Sequence, residues 1–282
     1  MTLIKSISGI RGTIGGRSGD NLTPVDIVKF SAAFGSWIKS RNKNAQHMVV
    51  GRDARISGPV VSSLVISTLR SMGITVTDLG LATTPTVELA VAGTGAAGGV
   101  IVTASHNPSQ WNALKLLNEK GEFLSAKDGE EVLYIADKES FEFVEAGYEG
   151  ELISDHSWDQ KHIAMVLQLD LVDRSAIEKA QFRVAIDCVN SVGGIIIPQL
   201  LKALGVKSVI ELNTNPDGKF AHNPEPLPEN LTDISELVVR EKADIGFVVD
   251  PDVDRLAVIC EDGTMFGEEY TLVSVADYIL QH

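Results

Sequence analysis

The chain has 282 residues, which is long enough for two domains with full cores, and its 44% apolar and 22% charged residues are typical of a soluble globular protein. Lys and Arg number 24 against 38 Asp and Glu, so the formal net charge is −14. This acidic balance repels the phosphates of nucleic acid and argues against nucleic acid as a partner.

The cysteines and the first residues indicate the compartment. Cys188 and Cys260 lie in apolar, strand-like runs, which favours buried reduced thiols over a disulfide or a nucleophile. The first residues lack the long apolar core of a signal peptide, and no run approaches membrane-spanning length. The sequence therefore predicts a cytoplasmic protein without a membrane partner.

A glycine-rich basic segment at residues 8–18 opens the chain and predicts a loop. Its glycines would let the backbone approach an anion closely, with Arg11 as the fixed cation, although a plain surface loop explains the same residues. Thr23 and Pro24 then predict a helix start, and the helix should run from Val25 to about Lys39.

Two parts of the chain share one order of predicted elements: a strand ending in an acid, a helix, a glycine that ends it, a second strand, and a turn with proline. In the first copy these are residues 47–53, 58–71, 73, 74–79 and 83–85. In the second copy they are residues 182–187, 193–204, 205, 206–212 and 214–216. The interval from acid to glycine is 20 residues in one copy (53 to 73) and 18 in the other (187 to 205). Such a near match predicts two copies of one α/β domain.

In each copy the next apolar strand ends in a special loop. Residues 98–103 lead to Ser105, where Ser-His-Asn-Pro is either a polar turn or an active-site loop at the carboxyl end of a strand. Residues 245–249 lead to an acidic loop at 250–255. The two loops occupy equivalent positions of sister domains, which would allow them to face each other across one cleft.

The acidic loop carries three carboxylates at alternate positions, Asp250, Asp252 and Asp254. They repel one another, and a hard divalent cation such as Mg²⁺ would remove the repulsion and still take a phosphate oxygen. A solvated acidic turn is the alternative. An EF-hand loop is excluded because Arg255 stands where the sharp turn needs glycine. An aspartyl nucleophile of the haloacid-dehalogenase kind is disfavoured because the same arginine replaces the expected threonine.

Residues 137–160 are acidic and irregular and predict the junction between the domains. We therefore expect domain I over residues 1–155, with the serine loop, and domain II over residues 156–264, with the acidic loop. A helix over 159–169 would open domain II, and a strand at 256–260 and a helix at 268–280 would follow the acidic loop.

Together these motifs resemble the α-D-phosphohexomutases, that is, phosphoglucomutases, phosphomannomutases and phosphoglucosamine mutases. The resemblance rests on residues 103–108 with Asn112 and Lys115, and on the loop Asp-Pro-Asp-Val-Asp-Arg at 250–255. Further matches are residues 8–12, 51–57 and 223–230. This sequence departs from the family at Ala113, where glycine is common, and in the residues between the aspartates, but it keeps every carboxylate.

The resemblance implies tandem α/β/α domains with mixed sheets, and residues 265–282 would begin a truncated third domain of four. It also implies an isomerase that interconverts 1-phospho and 6-phospho hexoses of glucose, mannose or glucosamine through a phosphoserine and a hexose bisphosphate intermediate. This chain alone would be inactive or weakly active. A metal-dependent sugar phosphatase and a fragment that only binds metal and phosphosugar are the alternatives.

The resemblance also implies roles for single residues. Ser105 would carry the phosphate, and the three aspartates would hold Mg²⁺ with an oxygen of phosphorylated Ser105 as a further ligand. Arg11 would point toward the reacting phosphate, and Arg255 would either bind a phosphate oxygen or hold the acidic loop by pairing with an aspartate. Lys115, on the far limb of the serine loop, would be an acid/base group or a purely electrostatic one. His106 would assist Ser105 or only stabilise the turn.

Overall fold

A computed structural model describes residues 1–6, 9–41 and 46–282, which form two compact units, Met1–Trp158 and Asp159–His282. Ser8, the first residue of the predicted glycine-rich loop, lies outside the described residues. Within the described ranges no helix is both long and apolar enough to cross a lipid bilayer.

The first unit is built on a seven-stranded mixed sheet with the order β1-β2-β6-β5-β3-β4-β7. Strands β5, β3, β4 and β7 are parallel neighbours, whereas β1, β2, β6 and β5 pair antiparallel. Its elements in chain order are β1 Ile4–Ser6, β2 Gly9–Thr13, α1 Pro24–Arg41, β3 His47–Arg52, α2 Gly58–Ser71, β4 Thr75–Leu81, α3 Thr84–Thr94, β5 Gly99–Val102, β6 Trp111–Leu117, α4 Ala126–Lys138 and β7 Leu152–Ser154. Helix α5, Trp158–Val166, begins at the last residue of this unit and otherwise belongs to the second unit.

The second unit has a four-stranded mixed sheet with the order β11-β10-β8-β9. Its elements after α5 are α6 Arg174–Ala180, β8 Arg183–Asp187, α7 Gly193–Leu204, β9 Ser208–Leu212, α8 Thr232–Glu241, β10 Ile245–Val249, β11 Leu256–Cys260 and α9 Glu268–Gln281, with a short 3-10 helix at Pro228–Asn230. Helix α9 belongs to this unit; that residues 265–282 begin a third domain stays a prediction.

The two sheets repeat one pattern, which confirms the prediction of similar tandem α/β domains with mixed sheets. Strands β6-β5-β3-β4 of the first unit correspond to β11-β10-β8-β9 of the second, with one antiparallel pair followed by two parallel pairs in each. In both units the antiparallel pair encloses the loop that holds predicted site residues.

Apolar side chains cover both faces of each sheet. In β3, Met48 and Val50 pack with α1 and α2, while Val49 packs on the opposite face with α3. In β8, Ala185 faces α8, and Val184 and Ile186 face α7. Because neighbouring strand residues point to opposite faces, these apolar runs produce helix–sheet–helix layers.

The sequence predicts a loop over the whole glycine-rich segment, but Gly9–Thr13 forms strand β2 between β1 and β6. Gly9 has φ +116°, and a Cβ atom there would lie 2.2 Å from the carbonyl oxygen of Leu114. This glycine therefore serves the close approach of two strands, a reason that the sequence does not reveal.

Two further expectations were wrong. The predicted turn at residues 83–85 starts helix α3, because the Thr83 hydroxyl accepts a hydrogen bond from the Thr86 amide (3.2 Å) and Pro85 fits the first turn. The junction at residues 137–160 is not irregular throughout, because Leu152–Ser154 adds strand β7 to the edge of the first sheet.

Candidate functional site

Ser105 lies three residues beyond the end of β5, in the loop that leads into β6. Its backbone is left-handed, with φ +48°, a conformation that costs a non-glycine residue about 1–2 kcal/mol. The half-buried side chain places Oγ 3.3 Å from Nδ1 of His106, and the backbone amide donates a 3.0 Å hydrogen bond to Oγ1 of Thr103. Strained serines held in this way are typical of functional loops.

A buried ion pair holds the serine loop. Arg55 and Asp53 have fully buried side chains, and Nε of the arginine lies 3.0 Å from Oδ2 of the aspartate. The guanidinium also donates to four carbonyl oxygens, three in the loop at Ser105, Asn107 and Pro108 and one at Trp111, where β6 begins. The sequence does not reveal this buried pair, since an acid and a base two residues apart are usually solvent-exposed.

The sequence predicts Lys115 in the far limb of the serine loop, but the residue lies in strand β6 opposite Ile101. Arg11 lies in β2 opposite Ala113. Paired and alternate residues share a face of a sheet, so Arg11 and Lys115 leave the same face. The Lys115 ammonium lies 5.7 Å from the centre of the Phe123 ring.

Arg11 lies level with the start of the serine loop. Its partner Ala113 accepts a 3.1 Å hydrogen bond from the amide of Thr103. Two strand spacings therefore separate the backbones of Arg11 and Thr103, a distance of about 10 Å. Nε of Arg11 is buried and has no hydrogen-bond partner among the described residues. A phosphate oxygen would satisfy such a donor.

The acidic loop gathers its three carboxylates. Asp250 and Asp252 are fully buried, Asp254 is exposed, and one ligand oxygen from each lies within 4.8 Å of the others. The triad could hold a metal ion. Oxygens on opposite sides of one Mg²⁺ are about 4 Å apart, so the hard oxygen donors and their spacing fit such a cation after a small contraction.

The backbone of the acidic loop is fixed from within the second unit. Oδ1 of Asp250 accepts hydrogen bonds from the amides of Asp254 and Arg255, each 3.1 Å long. Ser191 donates from Oγ to the carbonyl oxygen of Pro251 (2.6 Å). Val253 is held left-handed at φ +62°, which is an outlier for a β-branched residue. The loop is therefore preorganised, and the half-buried Arg255 is its last residue before β11.

Asp187 is the last residue of β8, and Asp53 directly follows β3, so the two acids lie at the carboxyl ends of corresponding parallel strands. It accepts hydrogen bonds from the Val189 amide (2.9 Å), from Nδ2 of Asn213 and from Nε2 of His222 (3.2 Å). Burial lowers the pKa of His222, but the hydrogen bond and charge of Asp187 outweigh it, so the net pKa is raised. The pair stabilises the fold of this unit, a role that the sequence did not suggest for His222.

Comparisons with known proteins agree with this geometry. Residues 3–143 match the family of phosphoglucomutase/phosphomannomutase alpha/beta/alpha domain I, and residues 160–263 match that of domain II. A phosphoglucomutase/phosphomannomutase of Thermococcus kodakarensis is 36% identical over 96% of this chain and 59% of its own length. A probable phosphoglucosamine mutase of Methanopyrus kandleri is 33% identical over 97% of this chain and 57% of its own.

Among solved structures, a phosphoglucomutase/phosphomannomutase family protein of Burkholderia thailandensis matches with a TM-score of 0.83 and 28% identity, over 100% of this chain and 60% of that one. The chain thus spans 57% to 60% of the length of these three relatives. Both matched domains lie in the order that the resemblance implied. This chain therefore belongs to the phosphoglucomutase/phosphomannomutase family, the α-D-phosphohexomutases.

Proposed function

We propose that the chain is part of an isomerase that moves a phosphoryl group between the 1- and 6-hydroxyls of a hexose, with glucose, mannose and glucosamine phosphates as the candidate substrates. The observation that carries the proposal is the presence of a preorganised loop at the equivalent position of each copy of a repeated fold: one copy has a strained serine, and the other has three gathered carboxylates. The names of its relatives support the substrate class.

Ser105 is the proposed donor and acceptor. Phosphorylated Oγ transfers its phosphoryl group to a free hydroxyl of the phosphosugar, so that the Oγ–P bond breaks and a hexose bisphosphate forms. The bisphosphate returns its other phosphoryl group to Oγ and leaves as the isomer. A serine phosphate ester keeps the phosphoryl group through both transfers without losing it to hydrolysis. The reaction depends chiefly on positioning and on neutralisation of charge.

Asp250, Asp252 and Asp254 are the proposed ligands of Mg²⁺, which neutralises developing phosphate charge when it is bound. In this proposal an oxygen of phospho-Ser105 would be a further ligand of the cation. Arg11 and Arg255 supply positive charge for phosphate oxygens.

His106 and Lys115 are the proposed proton-handling groups. Nδ1 of His106 is 3.3 Å from Oγ of Ser105, within reach for taking its proton. Lys115 is the candidate acid/base for the sugar hydroxyl, and loss of one limb of the pH–rate profile in Lys115→Met would separate that role from a purely electrostatic one.

Both cysteines are free thiols, which suits the reducing cytoplasm.

The test is intact mass with peptide mapping after the chain is incubated with Mg²⁺ and a hexose 1,6-bisphosphate. We expect one added phosphate on the Ser105 peptide, none in Ser105→Ala, and strongly reduced labelling in Asp252→Asn. Asp262→Asn, an exposed acid of the same unit outside the acidic loop, is the matched control and should label normally.

Three outcomes would contradict the proposal. A phosphate on any other residue would remove Ser105 from the mechanism. Steady release of inorganic phosphate without a lasting phosphoserine would favour a metal-dependent sugar phosphatase. Binding of Mg²⁺ without phosphoryl exchange at any bisphosphate concentration would favour a module that only binds metal and phosphosugar.

A further inference from the structure

Arg55 is a costly residue to bury, and the structure shows what its burial achieves. Its side chain is 0% exposed and pairs with an equally buried carboxylate, that of Asp53. Removing two charges from water costs several kcal/mol per ion in general, and apolar residues of similar volume fill a core as well or better. A buried pair of this kind therefore needs a reason other than stability.

The five N–H groups of Arg55 are all accounted for. Nε donates to Oδ2 of Asp53 at 3.0 Å. Nη2 donates to the carbonyl oxygens of Ser105 (2.6 Å) and Asn107 (2.7 Å). Nη1 donates to those of Pro108 (2.8 Å) and Trp111 (3.0 Å). One rigid, planar group thus fixes three carbonyls of the serine loop and the first carbonyl of β6 at once.

Asp53 holds the other side of Ser105. Its Oδ2 accepts a 2.7 Å hydrogen bond from the hydroxyl of Thr103. That hydroxyl oxygen in turn accepts the Ser105 amide at 3.0 Å. The amide and the carbonyl of Ser105 are therefore both tied to the same buried ion pair, one through Thr103 and the other directly.

This double attachment explains how Ser105 keeps its left-handed backbone, with φ +48°. A strained conformation persists only where surrounding contacts over-determine it. We propose that Asp53 and Arg55 are positioning residues for phosphoryl transfer: they fix the backbone of Ser105 so that Oγ presents to the incoming phosphoryl group. This inference rests on the proposed function and assigns a role to the motif at residues 51–55, beyond the phosphate and metal contacts.

The decisive variant is Arg55→Lys, which keeps the charge but cannot span four carbonyls from one ammonium. The matched control is Arg70→Lys, because Arg70 also donates to a backbone carbonyl of the first unit, that of Gly150 at 2.9 Å, away from the serine loop. Thr103→Val is a milder variant that removes only the link between Asp53 and the Ser105 amide. It preserves side-chain shape and so tests the inference even if Arg55→Lys unfolds.

The first readout is the rate constant of Ser105 phosphorylation, measured as a function of the concentration of a hexose bisphosphate. Misplacing a reacting group by about 1 Å costs about 100-fold in rate, so Arg55→Lys should lower the saturating rate constant by about 100-fold. Thr103→Val should lower it about tenfold, the equivalent of one hydrogen bond. The half-saturating concentration should stay within about twofold, and Arg70→Lys should change neither quantity. Loss of packing alone would not separate rate from half-saturation in this way.

The second readout is amide hydrogen exchange of a peptide over residues 104–112, which is independent of catalysis. Exchange should accelerate in Arg55→Lys and stay unchanged in Arg70→Lys. Labelling of folded Arg55→Lys or Thr103→Val at the parental rate would overturn the inference and leave the proposed function intact. If neither this chain nor the full-length protein labels, the proposed function falls, and unchanged loop exchange in Arg55→Lys would separately overturn the positioning role.

Discussion

The aspartate triad should make the stability of the second unit depend on a divalent cation in a way that one substitution reverses. Carboxylate oxygens of Asp250, Asp252 and Asp254 lie within 4.8 Å of one another, and the first two residues are fully buried. Two unit charges at that distance repel by about 3.5 kcal/mol at an effective dielectric constant of about 20. Without a cation, Asp252→Asn should therefore stabilise the second unit by up to about 3 kcal/mol.

Mg²⁺ should invert that order. A ligand at 1,000 times its Kd adds about 4.1 kcal/mol to a protein that binds it only when folded. The parent chain should gain this amount, whereas Asp252→Asn, which has lost one anionic ligand, should gain far less. The parent should then become the more stable of the two at high Mg²⁺.

Hydrogen exchange of a peptide from β10 reads the free energy of opening of the second unit. The three tryptophans, Trp37, Trp111 and Trp158, all lie in the first unit, so the urea midpoint of their fluorescence is an internal control that should not move. Asp262→Asn removes an exposed carboxylate outside the triad and should behave as the parent does. Equal stability of Asp252→Asn and parent at zero Mg²⁺, or no effect of Mg²⁺ on β10, would refute the reasoning.

Three further predictions concern the local geometry. The pKa of His222 is raised in the folded protein, so its contact with Asp187 contributes its full stabilisation below the unfolded pKa of about 6.5. That stabilisation is lost as the pH rises through the folded pKa. Hydrogen exchange of β8, measured against pH, should show this loss in the parent and no such loss in His222→Gln. Gly9→Ala should lower the free energy of unfolding of the first unit by about 2–4 kcal/mol, because the added Cβ meets the Leu114 carbonyl oxygen at 2.2 Å. Gly15→Ala, whose added Cβ meets nothing within 4 Å, should lower it by about 1 kcal/mol. Tryptophan fluorescence in urea measures both free energies. Ser105→Gly should raise that free energy by about 1 kcal/mol relative to Ser105→Ala, since only glycine relieves the left-handed strain at φ +48°, and an equal midpoint for the two variants would show that the loop carries no such strain.

Much of the fold could be predicted from the sequence because the relevant signals are local. Strands such as residues 245–249 are continuous apolar runs, and helices such as residues 58–71 follow within a few residues of turn and capping signals. Repetition of these signals at matched intervals predicted two similar domains, and the shared strand order and pairing directions confirm them. The clustering of Asp250, Asp252 and Asp254 was equally predictable, since three acids at alternate positions of one short loop cannot lie far apart.

Only the tertiary structure decided which polar groups are buried and what they contact. Gly9 is required by the Leu114 carbonyl across a strand pair, and Lys115 lies in β6 because that strand pairs with β5 and β2. Arg55 reaches carbonyl groups that follow it by 50 to 56 residues. Every residue carries a carbonyl, so no side-chain pattern marks the partners of such a cation. Side-chain periodicity therefore determines elements and their order, whereas backbone hydrogen bonding over long sequence separations determines how the serine is held.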